Sequence, residues 1–321
     1  MNNRFLIVAG AVAGLAAIAV PFFLSGYQLQ VAVMVGIFAL LTLSLNLLSG
    51  YAGMISLGHA GFFLIGSYTS AILATRFGMP FPVSMAAAAA VTAVSGLLLS
   101  IPALKLSGHF LAVITIAFGL ILHLLSINLE FITNGVSGIS GIARPSFGSW
   151  SMKSDASYYW LVLATLALVC LLVSAYVRSG YGRALRALRD DEIAAGCMGV
   201  DVKVAKVHAF VISAAIAGIA GCLYAHYVRY INPESFTLDI SIRILIMMVV
   251  GGVGSILGSV VGALVVYVLP ETLRFLNDYY YLVFGFVIML LMLVLPRGLV
   301  SLVPGLRNGS AGVSAGRAGR P

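Results

Sequence analysis

Apolar residues run along this chain in long blocks rather than in alternation. The blocks fall near residues 5–25, 29–49, 59–75, 82–102, 109–130, 158–178, 205–228, 242–270 and 280–296. Several reach the ~20 consecutive residues an α-helix needs to cross a hydrocarbon core of ~30 Å. The pattern predicts an all-α polytopic membrane protein with about eight to ten transmembrane helices. These helices form one membrane domain over residues 1–304. The block 242–270 is interrupted by glycines and reads as a half-crossing followed by a full span. The run from Phe5 to Leu24 exceeds the ~7–15 residues of a signal-peptide core, which predicts an uncleaved first span. Residues 305–321, rich in Gly, Ala, Ser and Arg, predict a disordered tail.

Composition agrees with the blocks. Hydrophobic residues make up 61% of the chain and charged ones only 9%, against ~45–50% and ~25% in soluble domains. So little charge could not cover a water-facing surface. The net charge of +8 does not point to nucleic acid. The basic residues form no aromatic-interleaved patch and lie at the ends of apolar segments, where membrane lipid is the neighbour and topology is set. Cys170, Cys197 and Cys222 show no paired spacing, so neither a disulfide nor a metal site is expected.

Charge also fixes orientation. Between Arg178 and Lys206 lie Arg178, Arg183, Arg186, Arg189, Lys203 and Lys206, a concentration no other connection approaches. The positive-inside rule makes 178–206 a cytoplasmic loop. Counting outward, 131–157 faces the other side, while Arg4, Lys105 and the tail are cytoplasmic. The count closes only if 242–252 crosses part-way and returns as 254–270.

Two Gly/Ser-rich interruptions, Ser49–Gly61 and Gly251–Gly262, stand in the two halves of the chain. Backbone that leaves helical geometry at membrane depth must be buried in protein or line a cavity. Paired breaks of this kind point to a transport pathway; tight packing through small residues is the other reading. Taken together the two segments favour the pathway.

Charged chemistry inside the membrane is sparse. Glu130, Asp155, Glu234, Asp239, Glu271 and Asp278 lie at span ends or outer loops, and Asp190, Asp191, Glu192 and Asp201 lie in the charged loop. A proton-coupled carrier needs an ionisable relay within the membrane, and only His59 and His123 offer one. The chain has no zinc-protease motif, no nucleophile elbow and no phosphate-binding P-loop. These absences argue against an enzyme and against ATP bound by this chain.

The charged loop has internal order. Residues 182–189 predict one short helix with Arg186 and Arg189 in its last turn. A second, near 191–198, is capped by Asp190 or Asp191, has Glu192 in its first turn and stops at Gly199. Both placements suit the helix dipole. Ala194, Ala195 and Met198 are expected to form a small apolar face. That face suits a protein groove or an anionic lipid surface equally well.

At these residues the chain resembles the LivM-type permeases of branched-chain amino acid ABC importers. The similar stretches run in order: Leu43–Phe62, Leu104–Thr115, Thr133–Ile139, Gly182–Ala195 with Met198-Gly199, Asn232–Phe236 leading to Gly251–Ser255, and Pro296–Leu299. The resemblance implies a permease domain over 1–304, with 178–206 as its cytoplasmic coupling loop. Arg183, Arg186, Arg189, Glu192, Ala194, Ala195 and Gly199 would then serve ATPase coupling. Ala194-Ala195 and Gly199 fit the importer spacing, whereas Ile193 holds the usual Glu position and Glu192 stands one residue early. A second departure is Leu120, which follows Phe118-Gly119 where relatives often carry an acid.

Implied partners are a LivH-type second permease, two ATPase subunits that use ATP and Mg, and a periplasmic substrate-binding protein. The implied location is the bacterial inner membrane. Asn46, Ser56, His59, Gly252 and Ser255 are the expected pathway residues, because broken helices expose backbone donors and acceptors that suit a zwitterion. Sparse neutral polarity would also suit urea or short amides. An ion-coupled carrier working alone and a purely structural membrane protein are the readings from other classes.

Overall fold

The computed structural model describes residues 21, 26–106, 108–147, 150–152, 154–273, 279–295 and 298–302. The first apolar run, Pro296-Arg297 and the expected tail 305–321 lie outside the described residues.

The helices sit where the apolar blocks place them. They are α1 Gly26–Leu45, α2 His59–Arg76, α3 Phe81–Ala103, α4 His109–Asn128, α5 Asp155–Arg178, α6 Gly180–Asp190, α7 Glu192–Cys197, α8 Val202–Val228, α9 Leu238–Gly251, α10 Ile256–Thr272 and α11 Tyr280–Val294. Local chemistry sets their starts. Ser154 accepts from the Ser157 amide at α5, Asp201 from Val204 at α8, and Ser255 from Gly258 at α10. Each satisfies one of the amides that a helix start leaves without a partner.

Among the described residues, five helices are long and apolar enough to cross a membrane: α1 with its continuation to Tyr51, α3, α4, α5 and α8. Counting the bent α9–α10 pair as one span makes six. The 18-residue α2 and the shorter α11 are further apolar helices. The bend between α9 and α10 is 118°, a break at the glycines of the block 242–270 that fits a broken span as well as the expected half-crossing and return.

The core forms around α8 and α1. α8 packs against α3 and α2, while α1 lies against α5, α8 and α10. Every residue from Ile37 to Leu45 of α1 is buried, so this half of the helix is enclosed all round, whereas Tyr27, Gln28 and Gln30 at its start are exposed. Close approach of α8 depends on Gly218, where a Cβ would stand 2.0 Å from Thr92 Oγ1 and 2.8 Å from the Ala88 carbonyl of α3. Small residues let membrane helices gain packing at short range where lipid supplies no hydrophobic drive. At one end of the bundle the strands Ile139–Ser140 and Tyr230–Ile231 pair antiparallel, and Arg144 bridges Asp155 at 2.8 Å.

One expected detail changes. In α7, Ile193, Ala194 and Met198 are exposed, whereas Ala195 is buried. At 3.6 residues per turn, 193, 194, 197 and 198 share a face and 195 falls on the opposite one. Ile193 therefore joins the outward apolar face and Ala195 leaves it.

Candidate functional site

The two glycine-rich breaks meet in space. α1 runs on into a wide π-type turn, Asn46–Tyr51, and the chain stays irregular until α2 begins at His59. The second break is the short bend Gly252–Ser255, with positive φ of 129° at Gly252 and 76° at Gly254. Asn46 joins them. Its Oδ1 accepts the Gly254 amide at 2.7 Å, and its Nδ2 donates to the Ser255 carbonyl at 2.8 Å and Ser259 Oγ at 2.7 Å. A wide turn of this type places one residue outside the regular ladder, a geometry that recurs at functional sites. Gly50 admits the approach: a Cβ there would lie 1.8 Å from Asn46 Oδ1 and 2.6 Å from the Gly254 nitrogen.

Ser56 and His59 form a second cluster at the start of α2. Ser213 Oγ donates to the Ser44 carbonyl at 2.8 Å and lies 2.9 Å from His59 Nε2. Its one proton is committed to the carbonyl, so His59 Nε2 carries the hydrogen between them. In the neutral ring, Nδ1 then accepts from Ser56 Oγ at 3.1 Å. Next to this cluster, Ala60 N donates to Ser241 Oγ and Leu57 N to Thr115 Oγ1, each at 3.0 Å. The structure thus brings Asn46 together with Ser255, and Ser56 together with His59. Asn46, Ser56 and His59 are fully buried, and their polar atoms are satisfied within the chain.

The charged loop folds onto the first break. α6 buries Gly182, Leu185 and Leu188 and turns Arg183 outward. Arg186 Nη2 donates to the Val177 carbonyl at 2.8 Å, closing the α5–α6 corner. Arg189 Nη1 reaches the Gly50 carbonyl at 2.8 Å. Asp191 caps α7 through the Ile193 and Ala194 amides. Glu192 pairs with Lys206 of α8 at 2.6 Å, the Lys206 side chain being only 4% exposed. Gly199, with φ of 83° and open space beside it, ends the turn after α7. Two arginines that mark topology in the sequence therefore also serve as hydrogen-bond donors to backbone.

Some buried polar groups escape a reading based on acids and mid-span histidines. His226, in the last turn of α8, is buried with Nδ1 2.7 Å from the Ala143 carbonyl and Nε2 2.9 Å from Ser70 Oγ. It joins His59 and His123 among histidines of the apolar segments, and its place inside block 205–228 was the available signal. Arg243, half-buried within α9, is a further charge inside the apolar block 242–270.

The model of the branched-chain amino acid transport system / permease component family matches residues 27–293. The high-affinity branched-chain amino acid transport system permease protein LivM of Escherichia coli K12 is 36% identical over 321 residues, covering 92% of this chain and 76% of that protein. LivM of Salmonella typhimurium is also 36% identical, over 88% of this chain and 72% of its own length. The permease protein LivH of Salmonella typhimurium is 29% identical over 82% of this chain and 91% of its own. No solved structure matches significantly. By the family match and by identity over most of its length, the chain belongs to the permease-component family of branched-chain amino acid transport systems.

Proposed function

We propose that this chain is one permease subunit of an ABC importer that carries branched-chain or similar hydrophobic amino acids across the bacterial inner membrane. A LivH-type permease supplies the other half of the pathway. Two ATPase subunits hydrolyse ATP with Mg, and a periplasmic binding protein delivers the substrate. The chain itself provides transport, not catalysis.

The observation that carries this reading is the contact between Arg189 and Gly50. The exposed α7 face, Ile193, Ala194 and Met198, is the docking surface for an ATPase groove. Movement of that face acts on α6 and, through Arg189, on the break that Asn46 ties to the second break. Arg183 adds an exposed charge near the docking site, and Glu192–Lys206 fixes α7 to α8. Ala194, Ala195 and Gly199 set the shape of the α7 turn. Asn46, Ser56, His59, Gly252 and Ser255 hold the walls of the pathway, because their side chains and turns fix where the broken helices begin and end.

The test is uptake of labelled leucine by proteoliposomes holding this chain, its partner permease, the ATPases and the binding protein. Uptake is expected only with internal or external ATP supplied on the ATPase side, and only with binding protein on the other. Uptake by this chain in the absence of the ATPases would overturn the importer reading and favour an ion-coupled carrier.

A further inference from the structure

Asn46, Ser56 and His59 spend their polar atoms on this chain's own backbone and side chains, so a passing solute must find its polar contacts elsewhere. A cleft of about 240 Å³ lies between α4, the start of α2 and the start of α9. This is just under the ~300–1,000 Å³ of drug-sized pockets, the scale of a small solute. Two polar groups in its wall are uncommitted. Asp239 is exposed in the first turn of α9 and has no ion-pair or hydrogen-bond partner among the described residues. His123 of α4 has a buried Nδ1 with no hydrogen-bond partner. Ile116, Leu120 and Phe236 supply an apolar wall.

The geometry points to this cleft as a transit site for a zwitterionic α-amino acid with an apolar side chain, an assignment that rests on the importer reading above. Asp239 receives the ammonium group. The carboxylate faces the opposite wall, where Leu57 and Ala60 bracket the start of α2. The Leu57 and Ala60 amides there are already bonded to Thr115 Oγ1 and Ser241 Oγ, so this wall offers the carboxylate only the partial positive charge of a helix start that has no side-chain cap. His123 Nδ1 adds a polar contact from α4. The apolar wall takes the side chain. With Leu120 rather than an acid at that position, Asp239 is the one acidic side chain among the described residues lining the cleft, so the ammonium meets a single protein carboxylate and the filled cleft carries a net charge of −1. Ser241 holds the arrangement, because its Oγ accepts the Ala60 amide and so fixes α9 to the start of α2.

The experiment compares wild type with Asp239→Asn, Asp239→Glu and Gly119→Leu in the complete reconstituted importer. Assembly is followed by co-purification, and ATPase activity stimulated by loaded binding protein is followed beside leucine and alanine uptake. Gly119 lines the cleft, and a Cβ there meets only ordinary contact, 3.5 Å from Gly58 Cα. Asp239→Asn is expected to lower leucine uptake by roughly 10- to 100-fold, the worth of one charge-assisted hydrogen bond. Its assembly with the partner subunits should be retained, and Asp239→Glu should restore most of the uptake. Gly119→Leu is expected to impair leucine uptake more than alanine uptake. If wild type carries leucine and both Asp239→Asn and Gly119→Leu carry it equally well, the assignment is overturned while the importer reading stands. If wild type carries no amino acid, the importer reading is overturned and this assignment with it.

Discussion

Arg189 donates from Nη1 to the carbonyl of Gly50 at 2.8 Å, across 139 residues of sequence. The same guanidinium nitrogen would lie 3.0 Å from a Cβ added at Gly254. The charged loop therefore touches both glycine-rich breaks through one side chain. Replacing Arg189 by Ala should leave membrane insertion and basal ATPase activity intact while uncoupling hydrolysis from uptake. The ratio of leucine carried to ATP hydrolysed measures this, and an unchanged ratio would count against the contact as a link.

Asn46 makes three hydrogen bonds at a site with no access to water. Asn46→Ala leaves the Gly254 amide and the Ser255 carbonyl without this partner. The Ser255 carbonyl keeps the Ser259 amide and hydroxyl as donors, so the Gly254 amide is the one group stranded, and a loss of ~1–3 kcal/mol is expected. Thermal unfolding of the purified protein in detergent reads the change, and a shift no larger than that of a surface substitution would refute it.

The Glu192–Lys206 pair should respond unequally to removal of its two members. The Lys206 side chain is 4% exposed and that of Glu192 40%. Glu192→Ala strands a buried ammonium, a change of the kind that costs ~3–5 kcal/mol. Lys206→Met removes the buried charge and leaves a carboxylate that water can reach. Glu192→Ala is therefore the more destabilising of the two, and the double variant should recover part of the loss. The order of the three unfolding midpoints tests this.

Ser213 sets the tautomer of His59 because its hydroxyl proton is committed to the Ser44 carbonyl. Ser213→Ala leaves the His59 Nε2–H unpaired and removes a side-chain donor from the Ser44 carbonyl, a loss of ~1–3 kcal/mol. Ser213→Thr keeps the hydroxyl and should retain more stability than Ser213→Ala. Equal midpoints for the two would refute the hydrogen-bond assignment.

Much of this architecture was legible before any coordinates. Long apolar runs can satisfy their backbone in a membrane only as helices, so block boundaries predicted α2, α3 and α4 almost to the residue. Capping chemistry placed α6 and α7 for the same reason, since Asp191 and Gly199 act on neighbours a few residues away. What could not be read is the meeting of distant segments. Asn46 is 208 residues from Gly254, and no local pattern carries that information. Ala195 is buried although the local pattern puts it with Ala194 and Met198, because its exposure depends on which side of α7 the rest of the fold covers. The acid inventory kept Asp239 at a span end, but only the fold puts it in the same cleft as His123 and Leu120.

The Asn46 bonds also restrict how this molecule can rearrange. A side chain at the end of α1 that grips Gly254, Ser255 and Ser259 makes the two interruptions a single joint rather than two hinges. Any motion that straightens one must carry the other along or break all three bonds at once. The natural cycle then has one degree of freedom here instead of two. Intermediates with only one interruption opened would be missing from the cycle, which lowers the chance of a continuous leak across the membrane.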